Sequence, residues 1–318
     1  MHLNWEKRLP KLACELAIRC ALALGLLLAS SMLAAAQTGP PKPKVPPGRD
    51  PGGIAIAVIG AGVDYRRPDI AARLARDGEG EIIAWDVIDD DARPLEAAPV
   101  PGRRLPPHAG TSMTELLLTE AKTARLIPVR IPDANPLALG GALAFASQTP
   151  ARIVVLLVAG DRSPQAQSWS LFIETARRSR HLLLIAPAGH HGGDTGAPAT
   201  APAGIGLDNL VVVTASDGQG RIAEGASWGL PVDIAVPAPQ SQLVLAAAAA
   251  DNRAALLENA AAMRLAALAA SLAAQQPGLD GSALKALLLS FAKPLPDAPG
   301  KSTRLGWIED PAGILAPR

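Results

Sequence analysis

The sequence predicts an α/β domain of three αβα layers, with a mainly parallel central sheet between helices. Three observations carry this. Apolar runs of strand length recur without polar interruption, as in strands buried on both faces. Segments of helical spacing separate them, an alternation that favours parallel pairing. The last third holds an Ala/Leu-rich helix too apolar for a surface position. Of the 318 residues, 49% are hydrophobic and only 3% aromatic, so the core is built from small side chains that suit close-packed strands and helices.

The elements follow in order. IAIAVIG, from Ile54, is the first strand, and EIIAWDVI and ARLIPVRI are the next two. ALGGALAFASQ has helical spacing and precedes the strand ARIVVLLVAG. WSLFIETARRSR is helical before the strand HLLLIAPAG, and NLVVVTAS is a sixth strand. RAALLENAAAMRLAALAASLAAQQ is the buried helix, and SALKALLLSFA is a further helix with Ser282 as its cap. Sites in such sheets lie beyond the carboxyl ends of the strands, so the loops that matter begin at Gly60, Gly160 and Gly189.

The first 36 residues stand apart. Lys7, Arg8, Lys11 and Arg19 precede a charge-free, mostly apolar run from Cys20 to Ala36, which reads as a secretory signal peptide, or alternatively an uncleaved N-terminal anchor. Residues 37–52 form a Pro-rich linker, extended because proline fixes φ and removes donors, and 53–318 form the domain. The expected location is therefore exported, periplasmic or extracellular. Both cysteines, Cys14 and Cys20, fall inside the leader, which excludes disulfides, Cys–zinc sites and a cysteine nucleophile from the rest. Beyond the leader the chain carries 26 basic and 27 acidic residues. Without a basic block there is no electrostatic footprint for nucleic acid, and no membrane embedding is expected beyond the leader.

VIGAGV after the first strand invites a dinucleotide reading. The fingerprint requires a third glycine for close helix–strand packing, yet Tyr65 stands there, and Pro68 interrupts the helix that would face the phosphates. No cofactor is expected.

The same segment, IAVIGAGVDYRRPDI, resembles the first motif of the subtilisin-like serine proteases, at Val58, Ile59, Gly62, Val63, Pro68, Asp69 and Ile70. Further segments are similar in order: WDVIDDDARP to the acidic loop, and HAGTSMTELLLTEAKTARLIPVRI to the histidine motif with its helix and strand. LLLIAPAGHHGG resembles the strand ending in the oxyanion asparagine, and LGWIEDPAGIL the closing motif. The resemblance spans roughly Gly53 to Leu315 and implies a subtilisin-like three-layer αβα fold.

It does not imply the chemistry. The catalytic aspartate falls on Gly60, and the oxyanion asparagine on His190. The histidine falls on His108 with one residue inserted, or on Ala109 without the insertion. The family serine opens a buried helix; laid without gaps against Pro277, that position is Asn259, with Met263 and Ala267 at the motif's proline and glycine, and another gap moves it to Ala262. Gly60 has no carboxylate to orient an imidazole, and a carboxamide is not a nucleophile. Losing the serine alone costs such an enzyme about a millionfold in turnover. The resemblance thus implies a pseudoprotease that binds a peptide or protein or acts as a scaffold. The rival is an active serine-type hydrolase with displaced groups: Ser112, His108 and the acids Asp89 to Asp91. Ser112 is read more simply as part of a helix entrance. His190, His191 and Asp194 read as a solvated loop rather than a metal site, and Asp89-Asp90-Asp91 as a turn.

Overall fold

The computed structural model describes residues 42–96, 109–132, 135–158, 168–189, 192–196, 201–202, 204–239, 253–296 and 300–314. Lys44–Arg318 make one compact unit. Its strands are β1 (Ala55–Gly60), β2 (Trp85–Asp86), β3 (Arg125–Arg130), β4 (Ala151–Leu156), β5 (Leu183–Pro187), β6 (Gly193–Asp194), β7 (Leu210–Ser216), β8 (Ser227–Trp228) and β9 (Ile234–Pro237). Its helices are α1 (Pro68–Ala71), α2 (Ala109–Glu120), α3 (Pro136–Ser147), α4 (Ser170–Arg178), α5 (Arg253–Gln275), α6 (Gly281–Leu289) and α7 (Pro311–Ile314).

The main sheet is seven-stranded, in the order β2-β3-β1-β4-β5-β7-β9. Every pairing within it is parallel. Side chains alternate between its faces, as the pleat requires. In β1, Ile56 and Val58 enter one apolar cluster with α2, α5 and α6, while Ala55, Ala57 and Ile59 enter the other with α3 and α4. The same division holds in β7, where Val211, Val213 and Ala215 face α5 and Leu210 and Val212 face away. Two covered faces explain why these strands read as continuous apolar runs.

Helix α5 lies across one face as the sequence requires of a helix apolar on all sides. It is the one described helix long and apolar enough to cross a bilayer, and 89% of that stretch is buried in the domain. Arg264 is its exception. The guanidinium reaches Glu120 Oε1 at 2.7 Å, the Pro237 carbonyl at 2.8 Å and Asp310 Oδ1 at 2.9 Å, joining α2, β9 and α7 to the helix.

Three local readings differ from the sequence. EIIAWDVI is a strand only at Trp85–Asp86, because the Asp86 N–H turns to the Asp91 carbonyl at 2.7 Å instead of continuing a ladder. The cap of α6 is Asp280, whose Oδ1 accepts from the Ala283 N–H at 2.8 Å; Ser282 lies inside the helix. Ile234–Pro237 adds an edge strand, whose outer side is partly met by Trp307 through Ala235. At the start of the unit, Asp50 accepts from the Arg76 N–H at 2.8 Å and pairs with Arg125 at 2.6 Å, so this part of the Pro-rich segment packs on the domain.

Candidate functional site

Parallel pairing brings the carboxyl ends of β1, β4, β5 and β7 to one edge of the sheet. Gly60 ends β1 there, and Gly189 follows β5. Gly60 is not an open place awaiting a carboxylate. A Cβ built on it would lie 3.0 Å from Leu157 Cβ. Gly60 and Leu157 share with Thr114 a cavity of only about 10 Å³, too little for a side chain.

The start of α2 closes over the loop after β1. A Cβ on Gly110 would come within 2.2 Å of the Gly62 carbonyl oxygen, and Gly62 itself has φ +90°. Both positions therefore require glycine, one for close approach and one for its backbone angle. Glu96 fastens this junction. Its Oε1 accepts from the Gly110 N–H at 2.9 Å, and its Oε2 accepts from the Thr111 N–H at 2.9 Å and the Thr111 hydroxyl at 2.5 Å. The Thr111 hydroxyl oxygen in turn accepts from the Asp64 N–H at 2.9 Å. A carboxylate here satisfies first-turn donors and favours the positive end of the helix dipole. Ser112 is partly buried in that same first turn. His108 lies outside the described residues, while Ala109, the ungapped alternative, is buried as the first residue of α2.

Asn259 is 1% exposed and Ala262 fully buried. Asn259 is not at the opening of a helix, because α5 begins six residues earlier, at Arg253. The backbone N–H at Asn259 is thereby committed to the helix ladder rather than presented at its end.

The residue beside it, Glu258, has no exposure at all. Its Oε1 accepts from the Ser227 N–H at 2.6 Å and its Oε2 from the Gly189 N–H at 3.2 Å. The Ser227 and Thr214 hydroxyls also lie against the carboxyl group. Those hydroxyls donate onward, Ser227 Oγ to the Gly189 carbonyl at 2.8 Å and Thr214 Oγ1 to the Ser227 carbonyl at 2.5 Å. Burial outweighs the hydrogen bonds and pushes the Glu258 pKa up to about 8, so it carries a proton at neutral pH. His190 and His191, next along the chain from Gly189, lie outside the described residues, as does Gly160.

The acids of the loop after β2 are engaged locally. Arg130 donates to Asp86 at 2.8 Å and to Asp89 at 3.0 Å, Trp85 Nε1 donates to Asp90 at 3.2 Å, and Asp91 accepts from the Arg93 N–H at 2.7 Å. Asp194 Oδ1 accepts from the Gly196 N–H at 2.8 Å. Among the described residues there is no group of three or more His, Asp or Glu placed to hold a metal ion. A larger concavity, about 880 Å³, opens near the amino ends of β7 and β9, away from Gly60 and Gly189. Its Lys285 ammonium is already spent on the Leu207 and Leu210 carbonyls and the Asp233 carboxylate.

Solved structures share this architecture. A cold-adapted subtilisin-like serine proteinase matches with a TM-score of 0.62 at 17% identity, over 86% of this chain and 94% of its own. The chain has the subtilisin-like fold. A protease from Pseudoalteromonas arctica matches with a TM-score of 0.64 at 17% identity, over 84% of this chain and 91% of its own. A lanthipeptide protease matches at 0.60 and 16% identity, over 84% and 89%. No protein-family model and no curated protein sequence matches the chain.

Sequence reasoning placed Gly60 and Asn259 on the subtilisin-like framework but passed over Glu96 and Glu258. Glu258 had a signal: it is a carboxylate inside a helix whose composition demands burial, and such a group must find donors. Glu96 had none, since its partners lie fourteen and fifteen residues along the chain, past a segment without regular pattern.

Proposed function

We propose that this protein is an exported, subtilisin-fold pseudoprotease that does not cleave peptide bonds and binds a peptide or protein segment at the sheet edge where the family's site lies. The observation that carries the reading is that Asn259, to which the resemblance assigns the nucleophile position, is a carboxamide buried inside α5. Gly60 supports it, since it carries no carboxylate and an added Cβ there would crowd Leu157 Cβ at 3.0 Å. Without a nucleophile, the remaining resource of such a site is its shape and its backbone donors. The test uses the purified protein with an unstructured protein substrate and a serine-directed fluorophosphonate. No cleavage and no labelling are expected, together with saturable binding to members of an immobilised peptide array. Cleavage with stoichiometric labelling overturns the reading and favours the rival hydrolase, in which case Ser112→Ala identifies whether Ser112 is the labelled residue.

A further inference from the structure

A second set of polar groups lies at the opposite edge of the main sheet, where β5 and β7 begin. A cavity of about 380 Å³ opens there, and Arg177, Arg180, Asp208, Asn209 and Ser282 are in its lining. Asn209 is 5% exposed, and its orientation is fixed. Its Nδ2 group donates to the carbonyls of Ala176 at 3.2 Å, Ser179 at 3.3 Å and Leu182 at 3.0 Å, which closes the end of α4. Only the nitrogen can make those bonds, so the amide cannot be turned round. Oδ1 is therefore left at the far end of the amide, on the cavity, and no described residue donates to it. Buried acceptors are ordinarily satisfied. Here the described fold supplies no donor, which leaves that role to an occupant of the cavity.

The other groups named are uncommitted too. At the start of α6 the Gly281 N–H goes to the Arg180 carbonyl at 2.7 Å, and the Ala283 N–H to Asp280 Oδ1 at 2.8 Å. Between them the N–H and hydroxyl of Ser282 meet no described acceptor, at the positive end of the helix. Arg177 and Arg180 are exposed and in no ion pair among the described residues, whereas Arg178 pairs with Glu174. Asp208 is exposed and likewise in no ion pair among the described residues, acting on Lys285 only through space.

These groups are of two kinds. The two guanidinium groups and the first turn of α6 offer N–H donors and positive charge, while the Asp208 carboxylate and Asn209 Oδ1 can only accept. A simple anion would leave both acceptors facing it, and a simple amine would face two guanidinium groups. A molecule that carries a carboxylate and an ammonium a few bonds apart satisfies both kinds. The cavity volume lies at the small end of the range for ligand sites, which suits a molecule of that size. We propose that this cavity binds a small zwitterion of the α-amino-acid class. Its carboxylate lies on Arg177, Arg180 and the start of α6, and its ammonium on Asp208 and Asn209 Oδ1. The site is at the amino edge of the sheet and does not depend on the peptide-binding reading of the other edge.

The experiment titrates the full protein with each common L-amino acid in turn by isothermal titration calorimetry at neutral pH, with inorganic phosphate, acetate and methylamine as the comparison probes. Saturable binding of at least one amino acid is expected, weakened about tenfold or more when the same amino acid is N-acetylated or converted to its amide. The double variant Arg177→Ala, Arg180→Ala should lower the affinity by about tenfold. Asp208→Asn should narrow the gap between the amino acid and its N-acetyl form, because the ammonium loses its carboxylate partner. All three side chains are exposed and hold no described part of the fold, so the variants should melt with the parent. The wild-type comparison of the amino acid with its blocked forms stands even if they do not. No binding of any amino acid at millimolar concentration overturns the proposal. So does phosphate or acetate binding as tightly as the best amino acid, which would make this an anion site only, and so does an affinity unchanged in the double variant.

Discussion

Replacing Glu96 by alanine tests whether the junction between α2 and the loop after β1 is held as described. The side chain accepts three hydrogen bonds, from the Gly110 N–H, the Thr111 N–H and the Thr111 hydroxyl. Thr111 is only 2% exposed, so water cannot readily replace the carboxylate there. Loss of a helix cap costs about 1 kcal/mol, and each buried donor left unpaired adds roughly 1–3 kcal/mol. Since the Thr111 hydroxyl can turn elsewhere and the loop can relax, the expected total is about 2–4 kcal/mol. Glu96→Gln keeps one acceptor oxygen and places an amide against the other donors, so it should recover about half of that loss. Urea unfolding followed by circular dichroism at neutral pH measures both variants, as midpoint shifts at constant slope. A Glu96→Ala variant within about 0.5 kcal/mol of the parent would refute the claim that this carboxylate holds the start of α2.

Gly60→Asp should restore no peptidase activity and should lower the thermal midpoint, because its Cβ meets Leu157 at 3.0 Å and overpacking of this kind costs roughly 1–3 kcal/mol; a melt at or above the parent's would contradict it. Glu258 also sets a pH trend. Its pKa rises from the ordinary value of 4.5 to about 8 on folding, so its stabilising effect is complete below the unfolded value and is lost as pH climbs to the folded one. Unfolding free energy should fall between those limits at slightly over ~1 kcal/mol per pH unit and then level off, with Glu258→Gln removing the slope; a rise over the same window would be inconsistent. At the acid end the sign is opposite for Asp64, which Arg66 holds below the usual carboxylate range, so its contribution disappears as pH falls through that range. Lys285→Met should destabilise by about 2–3 kcal/mol, since the Leu207 and Leu210 carbonyls and buried Asp233 lose a shared cation; calorimetry showing no change would mean solvent replaces the ammonium freely.

Much of the fold was legible because burial on both faces leaves a plain mark. β1 and β5 are apolar along their lengths, β4 and β7 are so apart from Arg152, Thr214 and Ser216, and each forms where the run predicts. EIIAWDVI carries the same mark yet pairs at only two residues, because Asp86 commits its N–H to Asp91 and its carboxylate to Arg130, neither visible as periodicity. The site was legible only as a set of positions. That Gly60 lacks a carboxylate is plain from the sequence, whereas Leu157 closing over it depends on the register of β1 against β4. Asn259 was placed by counting from Pro277, and α5 begins at Arg253 as its apolar run predicts, so the six-residue offset between the two is already present in the sequence. Glu96 and Glu258 are long-range partners, and single-chain pattern carries no information about which backbone donors a distant carboxylate will meet.

The six residues of α5 ahead of Asn259 bear on history as well as geometry. A serine substituted at Asn259 would sit inside a continuous helical ladder, where a hydroxyl bonds back to the carbonyl four residues earlier. It would gain neither an exposed oxygen nor free amide donors at a helix end. Gly60 adds a second barrier, since a side chain there would press on Leu157, whose Cβ lies 3.0 Å from the added Cβ. Under the pseudoprotease proposed above, neither a serine at Asn259 nor an aspartate at Gly60 would by itself assemble the family's triad in this framework. The length of α5 would then make that state hard to reverse, because a helix end would have to be opened before a serine there could be used.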